Sequence, residues 1–124
     1  MTTNPVGEAF VHAVAAKDRE ALQALLGPDI DFRAMTPNRF WEADSPAAVV
    51  DDVILGRWFE EQDRIDGVIA IDHDRVADRD RVGYRLSVVT PDGRFVVEQQ
   101  AYYGVDEGRI TWLRIMCSGF REAA

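Results

Sequence analysis

RVGYRLSVVTPDGRFVVEQQAYYGVDEGRITWLRIMCSGF, residues 81–120, reads as three consecutive β-strands joined by two glycine turns, Pro91-Asp92-Gly93 and Asp106-Glu107-Gly108. Valine, isoleucine and aromatic residues favour the pleated strand, and Asp-Gly and Glu-Gly steps favour tight reversal. The middle strand carries Glu98-Gln99-Gln100 where a core strand is ordinarily apolar. Alternation allows Glu98 and Gln100 to share one face and sends Gln99 to the other. With Asp92-Gly93 as a two-residue turn, Arg85 falls opposite Gln100, Ser87 opposite Glu98 and Gly83 opposite Tyr102. With the next turn centred on Glu107-Gly108, Leu113, Ile115 and Cys117 join that face. The opposite face collects Val82, Tyr84, Leu86, Val88, Val97, Ala101, Tyr103, Trp112 and Met116. A one-residue bulge would exchange the two faces partway along.

Upstream of this meander the chain changes period. Asn4 is placed to cap a helix with Pro5 in its first turn, where a missing N–H costs nothing, and Phe10, Ala13 and Val14 share one face. Asp18 restarts a second helix carrying Leu22, Leu25 and Leu26, which Gly27-Pro28 stops. Residues 29–35 alternate around Ile30 and Phe32 as a short strand, Thr36-Pro37-Asn38 breaks it, and a loop carries Arg39, Phe40 and Trp41. Ser45-Pro46 repeats the cap-plus-proline start, and Val49, Val50, Val53, Ile54 and Trp58 recur at spacings of three to five, opposite Asp51, Asp52 and Arg57. Residues 64–76, with Val68-Ile69-Ala70-Ile71, form a long strand, and Asp78-Arg79-Asp80 its turn. Helices first and sheet after predict one α+β domain over residues 1–124, with the N-terminal helices packed in the concave face of a curved, mainly antiparallel sheet.

Composition narrows the partners. The 124 residues are 47% hydrophobic, enough to bury a single core, and 14 basic against 22 acidic residues give a net charge of −8. That charge repels phosphate backbones and anionic lipid surfaces, so neither nucleic acid nor membrane is an expected partner. No segment approaches the roughly 20 apolar residues of a membrane span, and the first residues lack a secretion signal, which predicts a cytoplasmic protein. Cys117 is the only cysteine, so no intrachain disulfide forms.

The Ala-rich first helix, the aspartate opening the second, Ala24-Leu25-Leu26, Pro28-Asp29 and the closing Asp106-Glu107-Gly108-Arg109-Ile110 turn resemble the nuclear transport factor 2-like superfamily. This group includes ketosteroid isomerase, limonene epoxide hydrolase, scytalone dehydratase and the SnoaL-like polyketide cyclases. The resemblance implies a cone-shaped half-barrel around a largely apolar pocket, with homodimerisation through the sheet. Laid on ketosteroid isomerase, the first-helix tyrosine falls at Phe10, the general base near Ala34 and the oxyanion-hole carboxyl near Gln100, where an amide can still donate. Laid on the epoxide hydrolase, its arginine–aspartate pair becomes Arg85 with Ser87, and its closing aspartate falls near Ser118. A SnoaL-like cyclase is the enzyme these departures contradict least.

The family register puts Gln100 and Leu113 inside and assigns the other apolar face to a dimer interface. Glu98, Arg85 and Gln100 are then the candidate catalytic residues, Glu98 acting as acid or base once desolvated. Phe10, Trp41, Trp58, Tyr102, Leu113 and Cys117 are candidate ligand-binding residues, and Arg39 is placed to meet a carboxylate or phosphate. The same charges read equally as a solvated strand face, and the aromatics as ordinary packing between helix and sheet. Asp72-His73-Asp74 alternates faces and cannot converge on an ion, so neither metal nor cofactor is expected. Three functions stay open: an isomerase, cyclase or hydratase using acid/base chemistry on a small hydrophobic or polycyclic metabolite, a noncatalytic binder of a small hydrophobic ligand, and a dimerising accessory domain.

Overall fold

The structure, a computed structural model, describes residues 5–123. Two short helices, α1 (Pro5–Ala15) and α2 (Arg19–Leu25), open it. The carboxylate of Asp18 accepts the Ala21 N–H at 3.1 Å, satisfying one of the free donors at the start of α2. The cap expected at Asn4 lies outside the described residues. β1 (Leu26–Thr36) follows α2 directly and takes in Gly27 and Pro28. It turns through Pro37-Asn38, with Asn38 at a φ of 66°, into β2 (Arg39–Ala43). Proline followed by an asparagine that tolerates the left-handed region makes a tight hairpin, so Arg39, Phe40 and Trp41 lie on a strand rather than in the expected loop.

The third helix starts as read, with the Ser45 hydroxyl accepting the Ala48 N–H at 3.2 Å. Over Ala48–Trp58 it then widens to a π-helix, closed by the Phe59 N–H donating to the Ile54 carbonyl at 2.9 Å, five residues back. The wider turn gathers Val49, Val50, Val53, Ile54 and Trp58 into one buried stripe, which is why their spacing runs to five. Gly56 permits it, because a Cβ there would collide with the Asp51 carbonyl oxygen.

β3 (Arg64–Val76), β4 (Arg79–Thr90), β5 (Gly93–Asp106), β6 (Arg109–Cys117) and β7 (Arg121–Glu122) complete the chain. The turn between β3 and β4 is Ala77-Asp78, one residue earlier than read. Strand order is β2-β1-β6-β5-β4-β3, with β7 pairing on β5. All neighbours are antiparallel except β1 and β6. The helices cover one face of this curved sheet, as expected for the α+β cone. Phe10, Val14, Leu22 and the π-helix stripe meet Val82, Tyr84, Leu86, Val88, Val97, Ala101, Tyr103, Leu113 and Ile115 there.

Two register details depart from the reading, and the second settles which residues of β6 share the concave face. The turn between β4 and β5 is Pro91-Asp92, with Thr90 opposite Gly93, so Arg85 pairs with Glu98, Gly83 with Gln100 and Arg81 with Tyr102. Between β5 and β6 the register slips by one at Gly104/Val105, leaving Leu113 opposite Tyr103, Ile115 opposite Ala101 and Cys117 opposite Gln99. That bulge moves Leu113, Ile115 and Cys117 onto the apolar face and turns Trp112 and Met116 outward. Each buried side chain of valine size or larger contributes about 2 kcal/mol, so the face richest in them turns toward the helices. The apolar face expected at a dimer interface is therefore the concave core.

Candidate functional site

On the concave side of β5 the row runs Val97, Gln99, Ala101, Tyr103, and Gln99 is the one amide in it, 1% exposed. Tyr84 is its partner on β4 and Cys117 its partner on β6. The Tyr84 hydroxyl donates to Gln99 Oε1 at 2.5 Å. Burial, with the neighbouring Cys117 as a smaller cause, pushes the Tyr84 phenol well above its ordinary range, so it stays a neutral donor at physiological pH. That bond fixes the amide and leaves Gln99 Nε2 buried with no hydrogen-bond partner among the described residues. Were the amide turned over, Oε1 would be the unpartnered atom, so one half of it stays unsatisfied either way. The half-buried Cys117 thiol accepts the Gly119 N–H at 3.4 Å.

A second unpartnered donor lies on the covering helix. Trp58 is 7% exposed and its Nε1 has no partner among the described residues. Its ring packs 6.1 Å from Phe32 and 6.2 Å from Trp41, edge-on to the latter. Trp41 is itself satisfied, donating from Nε1 to Thr36 Oγ1 at 2.8 Å. Ala34, Ile115 and Ala101 form one inward row across β1, β6 and β5, and one pleat farther along come Thr36, Cys117 and Gln99. The two unpartnered donors therefore belong to the same end of the cone. Leaving a buried N–H unpaired costs about 1–3 kcal/mol, so each of the two atoms calls for an explanation.

The rim at this end is aromatic and cationic. Arg39 lies with Cζ 3.8 Å from the Trp41 ring centroid and Arg57 with Cζ 5.7 Å from it. Beside them a cleft of about 390 Å³ is lined by Arg57, Trp58, Asp92, Phe95 and Phe120, among others.

The catalytic candidates lie elsewhere. Arg85 and Glu98 pair at 2.7 Å on the outer face of the sheet, both substantially exposed. Gln100 Oε1 accepts from Arg81 Nη1 at 2.7 Å, and Arg81 Nη2 pairs with Asp72 at 2.8 Å, the guanidinium lying across Gly83. Tyr102 borders an outer groove of about 300 Å³ with Met35, Phe40, Arg114 and Met116. The expectation that Arg85, Glu98, Gln100 and Tyr102 wall the cavity is thus corrected: they alternate with the core row and face away from the helices. Phe10, Trp41, Trp58, Leu113 and Cys117 lie on the helix side, as expected. Tyr84 and Gln99, absent from the candidates, share parity with Val97, Ala101 and Tyr103, and that parity was the signal for them.

Asp72-His73-Asp74 divides as alternation requires, Asp72 going to Arg81 and His73 Nε2 to Glu8 at 3.0 Å. His12 is exposed, 3.8 Å from the same Glu8. Among the described residues no group of three or more His, Cys, Asp or Glu is placed to hold a metal, and no helix is long and apolar enough to cross a membrane.

No protein-family model and no curated protein matches the chain. Solved structures do. A candidate isomerase from Bacillus subtilis superimposes with a TM-score of 0.76 at 14% identity, over 92% of this chain and 84% of that one. An LEH-like epoxide hydrolase from M. tuberculosis gives 0.68 at 18%, over 93% and 81%. A candidate SnoaL-like polyketide cyclase from Mesorhizobium loti gives 0.65 at 17%, over 93% and 98%. An NTF2-like protein from Burkholderia thailandensis gives 0.66 at 22%, over 95% and 92%. Identities this low carry the fold alone, and it is the fold these structures share.

Proposed function

We propose that this cone-fold chain holds a small, largely apolar ligand bearing a carbonyl or similar acceptor against its concave face, with Gln99 Nε2 and Trp58 Nε1 as the donors that orient it. The single observation behind this reading is the buried, unpartnered amide of Gln99, held in place by Tyr84. Phe10, Phe32, Trp41, Trp58, Leu113 and Cys117 supply apolar surface around it. A screen of aromatic ketones, epoxides and polyketide-like compounds by thermal shift tests the reading, since a ligand of the native state raises the melting temperature. A compound that stabilises the wild type and not Gln99→Leu supports it; compounds that stabilise both equally overturn it.

Catalysis is the second reading, favoured by the same two donors. Fixed neutral donors aimed at a carbonyl stabilise the oxyanion that develops in isomerase, cyclase or hydratase chemistry. The group closest to hand for moving a proton is the Cys117 thiol, because the Tyr84 phenol is committed to Gln99 and Glu98 is engaged with Arg85 on the other face. Turnover of a bound ketone that survives Glu98→Gln and falls in Cys117→Ala supports this reading.

The outer face supports a homodimer. Met35, Phe40 and Met116 are each about half exposed and line one groove. Beside them Arg81, Arg85 and Arg114 are balanced by Asp72, Glu98 and Asp31. A charge-balanced face with an apolar strip is self-complementary, as a two-fold interface requires.

A further inference from the structure

We infer that the rim of the cone is a carboxylate clamp formed by Arg39 and Arg57 over Trp41, and that the ligand is therefore an amphipathic carboxylic acid with an aromatic or alicyclic body. This rests on the interior site proposed above and names its substrate class.

Of the thirteen arginines, Arg19, Arg75, Arg81, Arg85, Arg94 and Arg114 are ion-paired with a carboxylate. Two indoles each carry two guanidiniums, and over Trp112 one of the two, Arg114, has Asp31 as its partner. Over Trp41, Arg39 and Arg57 are both exposed and neither has a carboxylate within ion-pairing distance among the described residues. Their Cζ atoms lie 3.8 and 5.7 Å from the Trp41 ring centroid, so the two cations share one ring. Stacking occupies the flat face of a guanidinium and leaves its N–H edge free, the edge that grips carboxylate in a bidentate fork.

The placement follows from the sheet. Arg39 and Trp41 stand on the concave side of β2, paired with Thr36 and Ala34, while Arg57 precedes Trp58 on the helix that roofs the core. Trp41 touches Trp58, so the clamp is one ring away from the interior donor. Glu60, Asp63 and Asp92 line the same cleft as Arg57 and Trp58. Asp63 is turned inward, accepting the Glu60 N–H at 3.1 Å. These carboxylates repel an anion from that cleft, so the clamp takes its anion outside it, beside the Trp41 ring. A ligand spanning the site would put its ring among Trp41, Trp58 and Phe32, its acceptor toward Gln99 and its carboxylate at the rim.

Two probes of one shape separate the terms: 2-naphthoate, anionic at pH 7, and its neutral methyl ester. Calorimetric titration of the wild type should find naphthoate tighter by about tenfold or more, the equivalent of one charge-assisted hydrogen bond. That advantage should shrink as salt is raised and disappear in Arg39→Gln and Arg57→Gln, with ester binding unchanged. Equal affinity for the two probes, a preference that survives both substitutions, or no binding of naphthoate would overturn the clamp. Failure of the interior reading shows separately: in Gln99→Leu the ester would bind as in the wild type while the naphthoate advantage persisted.

Discussion

At Gln99 the chain places a primary amide in a row otherwise filled by Val97, Ala101 and Tyr103, and only one half of that amide is satisfied. Tyr84→Phe removes the satisfied half and should cost about 1–3 kcal/mol in urea unfolding. The double variant Tyr84→Phe/Gln99→Leu removes both polar groups, and should unfold no more easily than the wild type and up to about 2 kcal/mol later. A double variant as unstable as Tyr84→Phe alone would mean the amide is not held as described. Tyrosine burial also sets an alkaline limit. Tyr103 is pushed up to about 12 from 10.0 by burial, then by Asp80, against a hydrogen bond from the Gly7 backbone, and Tyr84 is pushed higher still. Above pH 10 the unfolded chain releases these protons and the folded chain keeps them, so the unfolded state binds fewer. Stability is therefore full below pH 10 and falls between 10 and 12 by about 1.4 kcal/mol per pH unit for each phenol. Unfolding of a Tyr102→Phe variant, which leaves Tyr84 and Tyr103 as the only tyrosines, followed against pH with tyrosinate absorbance as a second signal, should show ionisation and unfolding together; tyrosinate appearing in the folded variant near pH 10 would contradict it.

At the level of elements, the strands, the helical pair and the two glycine turns were legible because proline, glycine and aspartate punctuate the chain where the period changes. Register was not. Pro91-Asp92 and Asp92-Gly93 are both acceptable turns, and the choice shifts every pair between β4 and β5 by two residues without exchanging faces. The slip at Gly104/Val105 does exchange them, and it carried Leu113 and Cys117 inward. A bulge leaves little trace in local composition, since its extra residue is set by how the sheet curves over the helices. Once register was uncertain, so was the site: Glu98-Gln99-Gln100 points to a polar place on β5, but its parity decides that Gln99 is the inward member. The π-helix left a clearer trace, in apolar spacings that reach five. Gly56→Ala should disturb it, because the added methyl meets the Asp51 carbonyl oxygen. A loss of about 1–3 kcal/mol in urea unfolding is expected, whereas an α-helix there would gain about 1 kcal/mol from the same change.

At the scale of the whole molecule, the sheet has two unlike faces, an apolar helix-covered interior with two donors that have no partner among the described residues and an outer face of paired charges beside Met35, Phe40 and Met116. Sedimentation should find a dimer that Met116→Glu converts to monomer with unchanged ligand binding; a wild-type monomer at all accessible concentrations would remove the second copy from the account. The central claim concerns the interior, and side-chain NMR resonances of the amide and indole groups test it most directly. Titration with methyl 2-naphthoate should shift the Gln99 side-chain amide and the Trp58 indole N–H while the Gln100 amide stays in place. Movement of Gln100 with Gln99 and Trp58 unmoved would put the ligand on the outer face and contradict the account.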